Sequence, residues 1–137
     1  MAGYSGTPLA KKLGFKPDLR VALVGLPADV RSELRDALSQ CHVEKDLEGP
    51  LDLIHLFCKS TADLQREMKR AHKALAPAGM LWISWPKKAS GVATDLTEDI
   101  IRDFGLSIGL VDVKVCAVSD VWSGLKFVIR LKHRPKK

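Results

Sequence analysis

The chain predicts a three-layer α/β fold, a mostly parallel sheet covered by helices on both faces and finished by a C-terminal antiparallel hairpin. Three observations lead there. Residues 20–25 (R-V-A-L-V-G), 51–58 (L-D-L-I-H-L-F-C) and 80–85 (M-L-W-I-S-W) are nearly continuous apolar runs, which suit strands buried on both faces. The stretches between them repeat apolar residues at helical spacing. After Gly109 the pattern turns to strict alternation, twice, around the short connection S-D-V-W-S-G. The 137 residues suffice for one domain that buries roughly two-thirds of its unfolded surface.

In chain order, Thr7 to Gly14 reads as a short helix, with Thr7 as cap, Pro8 in the first position and Gly14 ending it in the left-handed conformation. A strand follows at Arg20 to Gly25. Val30, Leu34, Ala37, Leu38 and Cys41 then form the inner face of a helix, and a short edge strand fits around Val43. Gly49-Pro50 breaks the chain before the strand Leu51 to Cys58. Ser60 or Thr61 caps the next helix, whose apolar side is Leu64, Met68, Ala71 and Leu75, and Pro77 and Gly79 close it. The strand Met80 to Trp85 stops at Pro86. Asp95 with Glu98 three residues on resembles a capping box opening a helix with Leu96, Ile100, Ile101, Phe104 and Ile108 inward. In the hairpin, Val111, Val113, Val115 and Ala117 share one face against Asp112, Lys114 and Cys116, and Leu125, Phe127, Ile129 and Leu131 repeat the alternation. The domain is expected to span residues 1–132, with a basic tail at 133–137.

The net charge of +6 suggests nucleic acid until it is located. Lys132, Arg134, Lys136 and Lys137 supply four of the 22 basic residues; the remaining 18 face 16 acidic residues, a balance of +2. The basicity therefore belongs largely to the last six residues, and a nucleic-acid role is not expected. Three cysteines, Cys41, Cys58 and Cys116, form no disulfide framework, the N-terminus shows no signal pattern and no apolar run reaches membrane-spanning length, so a reducing cytoplasm is the expected location. Without a C-x-x-C or a Cys/His cluster, neither a metal nor another cofactor is assigned.

The candidate binding residues gather after the third strong strand, at Trp85-Pro86-Lys87-Lys88-Ala89-Ser90-Gly91. The carboxyl end of a sheet strand beside a helix start is where α/β proteins usually meet ligands. Lys87 and Lys88, with Ser90 and Gly91, can hold a phosphate or carboxylate, or can pair with Asp95, Glu98 and Asp99 instead. Thr7 and the neighbouring Tyr4 and Ser5, with Trp122, Ser123 and Lys126 of the hairpin, are further contributors. Cys58, at a strand end before a helix start, has a place that can favour a thiolate, against the commoner fate of a small buried hydrophobe. His55, between Ile54 and Leu56, reads either as a general base or as a hydrogen-bonded core histidine. Neither a Gly-x-Ser-x-Gly elbow nor a P-loop is present.

From residue 51 onward, D-L-I-H-L-F, a helix ending A-L-A-P-A-G, M-L-W-I-S-W and the closing hairpin resemble a shortened Rossmann-like methyltransferase domain. At whole-chain level, Y-S-G-T-P-L-A-K-K-L-G at Tyr4–Gly14, W-P-K-K-A-S-G at Trp85–Gly91 and the hairpin at Asp112–Lys126 resemble a small bacterial family of unknown function. The first resemblance implies a divergent S-adenosylmethionine-dependent transferase. Such an enzyme needs several glycines after the first strand, where this chain has Val24-Gly25-Leu26-Pro27-Ala28, one glycine and a proline without an amide donor. Glu44 or Asp46 would have to serve the ribose hydroxyls, and the D/N-P-P-aromatic motif of amino-methylating enzymes is missing. The chain thus reads as a domain that keeps the architecture without the cofactor, a non-catalytic module for an anionic metabolite or a protein partner.

Overall fold

The computed structural model describes residues 8–133. Six strands form one sheet: β1 (Arg20–Val24), β2 (His42–Val43), β3 (Leu51–Phe57), β4 (Leu75–Pro86), β5 (Leu110–Ala117) and β6 (Trp122–Ile129). Their order is β2-β1-β3-β4-β6-β5. The pairs among β1 to β4 are parallel, and β6 runs antiparallel to both β4 and β5. Four α-helices cover the faces: α1 (Leu9–Leu13), α2 (Ala28–Ser39), α3 (Thr61–Ala74) and α4 (Glu98–Ser107).

The apolar strands carry two cores because each faces helices on both sides. On one face, Leu64, Met68 and Ala71 of α3 and Ile101 of α4 pack with Ile54 and Leu56 of β3 and with Leu81, Ile83, Trp85 and Phe127. On the other, Leu9 and Leu13 of α1 and Val30 and Leu34 of α2 meet Val21, Leu53, Phe57, Trp82 and Trp122. Trp82 is fully buried, and its indole N–H donates to the Leu13 carbonyl at 2.8 Å, tying the short α1 to the sheet.

Local signals set most boundaries. Gly14 takes φ 91° after α1, while Pro8 stands in the cap position rather than the first helical turn. Thr7, Tyr4 and Ser5 lie outside the described residues, as does the tail from residue 134. Ser60 Oγ accepts from the Asp63 amide at 3.1 Å and caps α3. In α2 only Val30 and Leu34 are buried; Leu38 and Cys41 pack partly against that core.

Five further expectations need correction. Strand β6 ends at Ile129, and Leu131 lies beyond it in a 3-10 turn, exposed rather than on the inner face. Helix α3 ends at Ala74 and β4 begins at once, because Leu75 pairs with Leu51; Pro77 and Gly79 lie inside the strand, where its register with β3 shifts. Thr97, not Asp95, caps α4, its side chain accepting from the Ile100 amide at 3.2 Å. Ile100 is 38% exposed, because that start turns Ile101 and Gly105 inward. The alternation in β5 breaks at a bulge between Asp112 and Lys114. Asp112 opposite Phe127 and Val115 opposite Leu125 therefore share the α4 face, while Lys114 and Cys116 face α1. Val113 and Val115 are left half-exposed on this edge strand.

Candidate functional site

A cleft of about 640 Å³ opens on the α3/α4 face, at the carboxyl end of β4. Its floor is Trp85 and Pro86 with Ser123, which lies directly opposite Trp85 on β6. Its wall is Lys87, Lys88, residues 91–97 and the first turn of α4. The segment starts with a single 3-10 turn at Lys88–Ser90, closed by Gly91 at φ 76°. A β-carbon on Gly91 would meet nothing within 4 Å, so glycine is required there by backbone conformation rather than by space.

Side chains pin this wall at both ends. Ser90 Oγ donates to the Lys87 carbonyl at 2.6 Å and accepts from the Val92 amide at 3.2 Å. Thr94 Oγ1 donates to the Lys59 carbonyl at 2.6 Å and accepts from the Leu96 amide. Asp95 accepts from the Thr61 amide at 2.8 Å. Thr94 and Asp95 thereby join the wall to Lys59 and to the first residue of α3, so contacts within the protein shape the cleft.

The electrostatics divide the cleft. Glu98 is hydrogen-bonded to Arg102, which also binds Asp112 at 2.9 Å and Asp99 at 3.2 Å. Those bonds, from Glu98 first and then Asp112, hold the Arg102 guanidinium above its ordinary value. Asp95 is engaged by the Thr61 amide. Among the described residues neither Lys87 nor Lys88 makes an ion pair, although both line the cleft with Asp95 and Glu98. The expected pairing of the lysines with Asp95, Glu98 and Asp99 is thus replaced by Thr61 and Arg102.

Of the residues expected at the site, Lys87, Lys88, Gly91 and Ser123 come together in the cleft. Ser90 does not line it; its hydroxyl is consumed in the 3-10 turn. Trp122 is 7% exposed, in edge contact with Phe57 at 5.3 Å in the opposite core. Lys126 also points to the α1 side, beside Lys114 and next to Trp82 in register. Burial, then the Lys114 charge, lowers its pKa. Both corrections follow from strand parity: Ser123 faces one side of the sheet, so Trp122 and Lys126 face the other. Trp85, Val92, Leu96 and Glu98 also line the cleft; for Val92 and Leu96 the available signal was their apolar character in the short segment 91–97 between the strand and the helix.

His55 and Cys58 are core residues. His55 is fully buried, with Nε2 2.7 Å from Ser84 Oγ and its ring stacked on Phe57 at 4.2 Å. Burial lowers its pKa to about 3, and Nδ1 has no partner among the described residues. A neutral ring whose Nε2–H donates to Ser84 leaves only a lone pair unmet, which costs less than an orphaned N–H. The Cys58 thiol is pushed up to about 12, by burial first and then by Asp63 and Glu67, the reverse of an activated thiolate.

The crossing from β1 to β2 on one side and β3 on the other places the topological switch point at the carboxyl ends of β1 and β3. There Gly25 takes φ 73°, and a β-carbon on it would stand 2.9 Å from the Phe57 carbonyl, so the loop after β1 packs onto the end of β3. The 640 Å³ cleft lies two strands of the sheet away from β1.

A six-stranded, mostly parallel sheet with helices on both faces and an antiparallel C-terminal pair is a Rossmann-like fold of the methyltransferase type. The structure is similar to that of magnesium protoporphyrin IX methyltransferase from Synechocystis PCC 6803, with a TM-score of 0.59 and 15% identity over 83% of this chain and 75% of that one. It is also similar to a SAM-dependent methyltransferase from Aquifex aeolicus, with a TM-score of 0.61 and 15% identity over 89% and 88% of the two chains. Residues 10–131 match the family described as protein of unknown function (DUF3052), and the chain belongs to that family. No curated protein matches it in sequence. No helix among the described residues is long and apolar enough to cross a membrane.

Proposed function

We propose that this protein is a non-catalytic binding module that takes an anionic metabolite in the cleft at the carboxyl end of β4. One observation carries the reading: Lys87 and Lys88 line the cleft without ion-pair partners among the described residues, while the carboxylates beside them are held by Arg102 and the Thr61 amide. An ammonium pair in this setting gains by binding a phosphate or carboxylate, since no internal ion pair must first be broken. Thermal unfolding with inorganic phosphate, pyrophosphate and acetate tests this. A ligand at a hundred times its Kd adds about 2.7 kcal/mol, which for a chain of this length raises Tm by roughly 9 °C. The double variant Lys87→Ala/Lys88→Ala should lose that shift and keep the Tm of the unliganded protein. A shift that survives the double substitution removes the reading.

The fold supports a second reading, a divergent S-adenosylmethionine-dependent transferase, since solved methyltransferases share the architecture. Against it stands the single glycine of Val24-Gly25-Leu26-Pro27 and the contact of that loop with β3. A Tm shift with S-adenosylhomocysteine that is indifferent to the lysine substitutions would favour this second reading over the first.

A further inference from the structure

We infer that the ligand of this cleft carries its charge at one end of a ring-sized apolar body, as an aromatic carboxylate or an aryl phosphate does. The inference rests on the anion-binding reading above and adds the class of ligand. The volume of about 640 Å³ far exceeds one oxyanion and falls within the roughly 300–1,000 Å³ of clefts that enclose whole organic molecules. Burial grades across it. Trp85 and Leu96 are 7% and 4% exposed, Pro86 is buried and Val92 half-buried, so the inner part is apolar. Lys87 is half-buried and Lys88 exposed, so the positive charge stands nearer the mouth.

The threonine hydroxyls of the cleft wall are spent on the protein itself. Thr94 Oγ1 serves the Lys59 carbonyl and the Leu96 amide, and the Thr97 side chain serves the Ile100 amide. What remains is the Ser123 hydroxyl, opposite Trp85, which makes no hydrogen bond to a described residue. A sugar-like or polyanionic ligand would leave its own polar groups unpaired against Trp85, Pro86 and Leu96, and extra charge would meet Asp95 and Glu98. An apolar ring with one anionic end avoids both penalties.

The test is a titration series followed by tryptophan fluorescence and calorimetry, with acetate, benzoate and 2-naphthoate, and with phosphate against phenyl phosphate. Burying one more ring face removes on the order of 50 Å² of apolar surface, so Kd should fall about tenfold with each ring. Val92→Phe, which fills the apolar part, should reduce the naphthoate-to-acetate affinity ratio at least fivefold. Trp85→Phe should remove most of the fluorescence response to naphthoate. Equal affinities across the series, all lost in Lys87→Ala/Lys88→Ala, would overturn the ligand class and leave the anion site standing. Tight naphthoate binding indifferent to the lysines would overturn this inference together with the anion-binding reading.

Discussion

Helix α4 supplies both the end of the cleft wall and the arginine that occupies Glu98, so what seats it on the sheet can be tested directly. The seat is Gly105, which is buried against Phe127. A β-carbon there would stand 2.7 Å from Phe127 Cζ and 2.9 Å from Cδ1, and nearer still to Cε1. Phe127 is fully buried and cannot swing aside. Gly105→Ala therefore opposes two effects. Alanine gains about 1 kcal/mol of helix propensity in the interior of a helix. Restoring ordinary contact distance means lifting the helix by about 1 Å from a close-packed core, an overpacking cost near the upper end of roughly 1–3 kcal/mol. The collision wins, and stability should fall by about 2 kcal/mol, lowering Tm by roughly 7 °C. Shortening the ring reverses the sign: in a Phe127→Leu background the collision is gone, and Gly105→Ala should raise stability by up to about 1 kcal/mol. Urea denaturation of the four proteins, followed by tryptophan fluorescence, gives a coupling of about 3 kcal/mol between the two positions. An equal effect of Gly105→Ala in both backgrounds, or a gain in the wild type, would show that Phe127 does not set the height of α4.

Two further outcomes concern the core. The unfolded chain binds a proton at His55 near pH 6.5, whereas burial keeps the folded ring neutral to about pH 3. The stability this provides is complete above 6.5 and is lost as pH falls, at up to about 1.4 kcal/mol per pH unit. Between pH 6.5 and 5 the loss should be between about 1 and 2 kcal/mol. His55→Gln, which can still bond Ser84, should flatten that part of the curve, and an unchanged slope would show that other groups cause it. Cys58 should resist iodoacetamide in the folded protein at pH 8 and react only in denaturant, since burial, Asp63 and Glu67 all disfavour its thiolate; rapid labelling of Cys58 in the native state would contradict that burial.

Elements whose signals are local could be read from the chain alone. Continuous apolar runs marked β1, β3 and β4 because strands buried on both faces need no polar side. Ser60 and Gly14 act through one or two backbone groups in their own neighbourhood and are legible directly. Lys87, Lys88 and Gly91 could be placed at the carboxyl end of β4 because they follow a buried strand that stops at a proline. The errors arose where two elements compete for the same residues. Asp95 lost the cap of α4 to Thr97 because it bonds the Thr61 amide, 34 residues away.

Which hairpin residues reach the cleft was settled by packing in three dimensions. Neighbouring residues of a strand point to opposite faces, so the register of β6 against β4 sends Ser123 to the cleft and Trp122 and Lys126 away from it. The bulge in β5 likewise moved Asp112 to the α4 face, where it meets Arg102 and helps hold the guanidinium that engages Glu98. Pairing register and bulges are set by contacts between distant segments. Local composition does not encode them, and they determine here which side chains line the cleft.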